Sequence, residues 1–147
     1  MCFKTIAIAS DHRGYWLKND IIHHFQKSGF NIKDFGTDND CISVDYPDFA
    51  KSVAKYVKNN DDSCGILICH SGIGMSIAAN RMQGIRAALC YTQEHAKLSR
   101  EHNDANIICI GAGFVNTETA IELCEIFVHS KLEDNRHMKR IQKIEEA

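Results

Sequence analysis

No run of apolar residues in this 147-residue chain approaches the ~20 that a membrane-spanning helix requires. Neither charge sign is in excess: 17 Lys and Arg stand against 19 Asp and Glu, a formal net charge of −2. A field that weak draws neither nucleic acid nor an anionic membrane. No Cys-x-x-Cys and no His-x-x-x-His occurs, and His23 and His24 point in different directions on a helix, so no metal is expected. No glycine loop is followed by Gly-Lys-Ser/Thr, which excludes a Walker phosphate loop. There is one proline, Pro47, and no repeat, low-complexity stretch or linker divides the chain. The start, MCFKTIAIASDHRG, reads as a first strand rather than a signal peptide.

What is present suits a soluble globular protein. Hydrophobic residues make up 44% and charged residues 24%. The length suggests one domain over 1–147, enough to bury a core. The cysteines are seven, an odd number: Cys2, Cys41, Cys64, Cys69, Cys90, Cys109 and Cys124. They fit a reducing, cytoplasmic setting better than a secreted disulfide framework, and most read as small buried hydrophobes.

Strand and helix patterns alternate. Strands are expected at 4–10, 30–36, 65–69, 84–90 and 106–111. Helices are expected at 14–29, 48–60, 74–82, 92–103, 116–132 and 135–146. The first helix places Trp16, Leu17, Ile21 and Phe25 on one face and stops at Gly29. Asp48 is a candidate cap for the second helix, and Asn116 or Thr117 for the one at 116–132. Solid apolar strands separated by helices predict a parallel sheet covered on both faces: a Rossmann-like three-layer α/β/α fold with five parallel strands plus a C-terminal helix.

Ligands in such folds bind beyond the carboxyl ends of the strands. Ser10-Asp11-His12-Arg13 follows the first strand, Cys69-His70-Ser71-Gly72-Ile73-Gly74 the third and Gly111-Ala112-Gly113 the fifth. If the first and third strands are neighbours, as in a flavodoxin-like order, Asp11, His12 and Cys69 face one space. Gly72 and Gly74 can take positive φ and turn N–H groups inward, and the following helix adds its dipole, forming a cradle for an anion or oxyanion. A plain tight turn is the commoner reading of a lone Gly-x-Gly. As a dinucleotide fingerprint the loop is poor, with Ala78 near the third glycine's place. Cys69 is either packed filler or, beside the cradle, a base or nucleophile. His102 is either a helix-end dipole partner or, with Asn103, an acid–base group. Arg136 and Arg140, four apart with His137 and Lys139 close by, form either a solvated basic face or a phosphate contact.

ASDHRG, VDYPDFA, ICHSGIGMSIAANR, GIRAAL, SREHNDAN and NRHMKR run in this order along nearly the whole chain. The set resembles ribose-5-phosphate isomerase type B, in the family that also holds the galactose-6-phosphate isomerase subunits. The resemblance implies cofactor-free interconversion of ribose 5-phosphate and ribulose 5-phosphate through a cis-enediolate, in the non-oxidative pentose phosphate pathway. By position it implies Cys69 as the base, since Met75 stands where another branch has a glutamate. Ser71 with the Gly72 and Gly74 amides would hold the enediolate oxygens, and His102 would open the furanose ring with Asn103 beside it. Asp11 and Tyr46 would contact the sugar, and His12, Arg136 and Arg140 the phosphate. A homodimer or homotetramer with sites shared between chains is implied.

The sequence departs from the family pattern twice. His70 stands where the family pattern has a glycine after the cysteine, and Gly111-Ala112-Gly113 where it often has Gly-x-Arg, so the resemblance implies one phosphate contact fewer. His70 would then either modulate Cys69 or add a polar contact at the rim, or it simply points to solvent or a neighbouring chain. Rival functions are an isomerase of a six-carbon aldose phosphate, a non-catalytic sugar-phosphate binding module, and a cysteine phosphatase. The last needs Cys-x5-Arg, and Met75 stands where its arginine belongs.

Overall fold

The computed structural model describes residues 3–133 and 135–147; Cys2 lies outside them. Five strands form one parallel sheet: β1 (Thr5–Ser10), β2 (Asn31–Asp34), β3 (Ser63–Cys69), β4 (Ala87–Leu89) and β5 (Ile107–Gly111). The helices are α1 (Tyr15–Lys27), α2 (Tyr46–Lys58), α3 (Ile73–Ala79), α4 (Gln93–Glu101), α5 (Thr117–His129) and α6 (Met138–Glu145). Short 3-10 turns precede α1 and α6, at His12–Gly14 and Asn135–His137.

Strand hydrophobicity tracks strand position. TIAIAS, SCGILIC and IICIG are buried along their whole length and occupy the centre of the sheet as β1, β3 and β5. NIKD and AAL, mixed or short, are its edges, β2 and β4. That is the behaviour of parallel strands covered on both faces. One face packs Leu17, Ile21 and Phe25 of α1, Ala96 of α4, and Leu123 and Phe127 of α5 against Ile6, Ile8, Ile66 and Ile108. The other packs Ala50, Val53 and Val57 of α2, and Met75 and Ala79 of α3, against Ala7, Leu67 and Cys109.

The strand order is β2-β1-β3-β5-β4. The flavodoxin-like neighbours β1 and β3 are present, but the last two strands are exchanged relative to that order. β5, apolar and five residues long, takes the inner place, and β4, only three residues, is left at the edge. The tip of β5 therefore adjoins that of β3. Asn80 closes the outer side of β4: its side-chain amide donates to the Ala87 carbonyl (2.9 Å) and its Oδ1 accepts the Ala87 N–H (2.7 Å).

Several local expectations are corrected. Trp16 is 65% exposed rather than in the core, and its indole N–H donates to Asp40. The second helix starts earlier than 48, with Asp45 at the cap position and Pro47 in the first turn; Asp48 lies inside it. Proline suits that place because the first-turn N–H lacks a helical acceptor in any case. Asn116 is the cap of α5, its Oδ1 accepting from the Thr119 N–H (2.8 Å). Gly29 does end α1 with a φ of +87°.

Candidate active site

The register β1 Ser10 to β3 Ile68 sets the next residues, Asp11 and Cys69, side by side at the carboxyl ends of two central strands. The Asp11 N–H donates to the Ile68 carbonyl (3.2 Å), continuing the ladder one step. The Asp11 side chain is oriented by its own turn: Oδ1 accepts from the N–H groups of Arg13 (3.0 Å) and Gly14 (3.2 Å). His12 Nδ1 accepts the Val44 N–H (3.2 Å), which leaves Nε2 as the nitrogen that carries the proton.

Cys69 is 5% exposed and packs among Ala9, Met75 and Cys109. The Gly72 N–H donates to its Sγ at 3.2 Å. Gly72 makes this contact from a left-handed backbone (φ 77°, ψ −14°), a conformation that glycine adopts without a side-chain penalty. Gly74 has a different reason. It lies within α3, without a positive φ, and a Cβ there would stand 2.4 Å from the Tyr46 ring. Glycine at 74 thus lets Tyr46, the first residue of α2, lie across the loop. The first N–H groups of α3, those of Ile73, Gly74 and Met75, precede the first helical bond, from Ser76 N–H to the Gly72 carbonyl. Ile73 N–H is turned to Ser71 Oγ (3.3 Å). With only seven residues, α3 contributes little as a dipole; the groups here that can donate to a ligand are the loop amides and the Ser71 hydroxyl.

Two residues that strand-end reasoning passed over complete this end of the molecule. Tyr91 follows β4, and its hydroxyl donates to the Ser71 carbonyl. Burial, then negative charge at Cys69, pushes the Tyr91 phenol above its ordinary value, so it stays a donor at neutral pH. Phe114 follows Gly113 and meets the Tyr91 ring at 6.1 Å and the His70 ring at 5.6 Å. Applying the same rule to β4 would have found Tyr91. Met75 is fully buried, so no titrating group competes with Cys69 there.

The remaining candidates form a second cluster. α4 runs back from the carboxyl end of β4 to the start of β5, so His102 and Asn103 lie at the amino end of the sheet. Arg86, which leads into β4, confirms this by donating to the Asn103 carbonyl (3.0 Å). The His102 ring stacks on His137 with centroids 4.3 Å apart. His102 Nε2 is 3.8 Å from a Glu133 carboxylate, and Arg136 Nε donates to His137 (3.3 Å). Arg140 is exposed on α6, one turn beyond. The length of β5, five residues at about 3.3 Å each, separates this group from Cys69 by roughly 15 Å. One chain thus unites Asp11, His12, Tyr46, Cys69, Ser71, Gly72 and Gly74, but holds His102, Asn103, Arg136 and Arg140 apart from them.

The other buried thiols are inert by environment. Burial pushes Cys64 up to about 12 and Cys90 up to about 11 from an ordinary 9.0, and raises Cys109 and Cys124 well above it. Iodoacetamide at pH 8 should label Cys41, which is accessible because it is exposed, but slowly, because its thiol donates to Asp40 and is itself raised. It should spare these four buried thiols in the folded protein, as read by mass spectrometry of the digest. A thiol whose folded value is raised holds its proton after the unfolded chain has lost it. Stability from Cys90 and Cys64 is thus intact below pH 9 and falls as pH rises from there through about 11 and 12, visible as a declining melting temperature. Among the described residues, no three His, Cys, Asp or Glu side chains are placed to share a metal ion. No helix there is long and apolar enough to cross a membrane.

Gly72→Ala is expected to be the most damaging small change at this site. It would strain a positive φ and place a Cβ 2.7 Å from Leu89 Cδ1 and 3.0 Å from the Ile110 carbonyl carbon. A loss of about 2–4 kcal/mol is expected in urea unfolding.

A parallel α/β/α protein with a thiol, a carboxylate and a glycine turn converging at the carboxyl ends of two adjacent central strands is built as a small-molecule enzyme. Residues 6–144 match the Ribose/Galactose Isomerase family, and the chain belongs to it. It is 48% identical over 140 residues to a putative sugar phosphate isomerase of Rickettsia bellii, covering 95% of this chain and 96% of that one. It is 39% identical over 141 residues to ribose-5-phosphate isomerase B of Escherichia coli, covering 96% and 94%. The crystal structure of ribose-5-phosphate isomerase B from Mycoplasma genitalium with bound ribulose-5-phosphate superposes with a TM-score of 0.93 at 41% identity, covering 97% of this chain and 94% of that one.

Proposed function

We propose that the protein interconverts ribose 5-phosphate and ribulose 5-phosphate, with Cys69 as the base. The observation that carries this is the placement of Cys69 Sγ, at the tip of β3, beside Asp11 and 3.2 Å from the Gly72 amide. The thiolate takes the C2 proton of the open-chain aldose and returns it to C1. The O2 proton moves to O1, so the carbonyl passes from C1 to C2 with no net gain or loss of atoms. The cis-enediolate between these steps carries its charge on oxygen. Ser71 Oγ and the amides at the start of α3 are the preorganised donors for it. Asp11, fixed by its turn, accepts sugar hydroxyls, and Tyr46 closes the side.

The second cluster completes the site from another subunit. His102 opens the furanose with Asn103 beside it, and Arg136 and Arg140 join His12 on the phosphate, so remote binding energy positions the reacting carbons. The two half-sites lie at opposite ends of one sheet, so they meet only if a second chain packs in reversed orientation, as in a two-fold dimer. The enzyme then serves the non-oxidative pentose phosphate route in the cytoplasm. An assay with ribose 5-phosphate and with a six-carbon aldose phosphate tests the reading. Turnover of the pentose phosphate is expected to dominate; no turnover of it would sink the assignment.

A further inference from the structure

His70 is the side chain beside Cys69 that the proposed chemistry leaves without work. It is exposed, and among the described residues no hydrogen bond engages its ring nitrogens. The ring nonetheless has defined neighbours. The ring lies against Gly113: a Cβ at 113 would stand 2.3 Å from Cε1, 2.6 Å from Nδ1 and 2.9 Å from Nε2. Gly113 N–H donates to the His70 carbonyl (2.9 Å) and Ala112 N–H to the Cys69 carbonyl (2.9 Å), so the two strand tips are zipped beneath the ring. Phe114 flanks it at 5.6 Å. Glycine at 113 thus makes a slot that seats an imidazole at the mouth of the site, on the β5 side of Cys69. The other groups at the mouth are already assigned: the Asp11 carboxylate and Cys69 sulfur face the sugar carbons, Ser71 and the loop amides face the enediolate, and His12 has one ring nitrogen engaged. A dianionic sugar phosphate entering there meets His70 as an unengaged donor.

We infer that His70, seated on Gly113, is a substrate-binding residue that donates to the phosphate group. This rests on the sugar-phosphate reading above. His70 and Gly113 are then one unit, and the pair is tested as a double-mutant cycle. His70→Gly is expected to raise KM for ribose 5-phosphate about tenfold with kcat within about twofold, the loss of one hydrogen bond to a charged group. Inorganic phosphate, titrated by calorimetry, should lose affinity by a similar factor, a measurement that needs no turnover. Gly113→Ala should reproduce the KM effect by displacing the ring. In the His70→Gly background the same alanine should add nothing, because the slot is empty. Unchanged phosphate affinity in His70→Gly, or additive effects of the two substitutions, would overturn the inference. If the wild type binds phosphate through His70 but turns over neither sugar, the isomerase reading fails and this one stands.

Discussion

Cys69→Ala is expected to lower kcat about a thousandfold, the usual contribution of a positioned general base being 10²–10⁴. KM should change little, because the sulfur acts on a C–H bond rather than holding a charged group. The side chain is small and 5% exposed, so the variant should still fold, and its urea midpoint should stay near the wild type. Cys69→Ser is the sharper comparison. It keeps the shape and the contact with the Gly72 amide but replaces a thiol by a far weaker acid, and the same loss is expected. Cys109→Ala is the control: that thiol faces the same cluster on the next strand, is fully buried and is held protonated, so kcat should survive. Full turnover in Cys69→Ala would remove the base assignment outright.

Mixing two dead variants should restore activity. Cys69→Ala disables one half-site and His102→Ala the other, and the structure places these halves at opposite ends of the sheet. If each working site joins the Cys69 end of one chain to the His102 end of another, random reassembly makes half the dimers mixed. Each mixed dimer then carries one intact site of two, so about a quarter of the wild-type rate is expected after co-refolding. A site contained within one chain gives no recovery at any ratio. Rate measured against the proportion of the two chains, with a maximum at equal amounts, is the readout.

The helices and strands were legible because their patterns are strong. TIAIAS, GILIC and NIICIG can only be buried strands, and their flanking caps and glycines mark the turns. What was not legible is set by tertiary contact. Trp16 fits the apolar stripe of α1 by spacing, but Asp40 supplies an outside partner for its indole. The exchange of β4 and β5 depends on how little of GIRAALC becomes strand. Gly74 looked like a second positive-φ turn and is instead a gap for Tyr46, a residue 28 positions earlier that no local pattern connects to it. Ordered motifs singled out the candidate residues, and the resemblance implied sites shared between chains, but which residues fall into which group was not legible. Only the direction of α4 relative to the sheet reveals it. His70 and Gly113 looked like two unrelated oddities; the structure shows one imidazole resting on one missing side chain.

The pair of hydrogen bonds between Asn80 and Ala87 bears on how copies of this chain can join. An open edge strand is a template for another chain's backbone, and runaway templating gives fibrils. β4 has three residues, and alternate residues turn their amide and carbonyl outward. Asn80 occupies the outward pair at Ala87 and leaves only Leu89 free, too little to recruit a strand. The sheet therefore cannot grow sideways through β4. Copies that associate on that side must do so through side chains rather than by extending the backbone ladder.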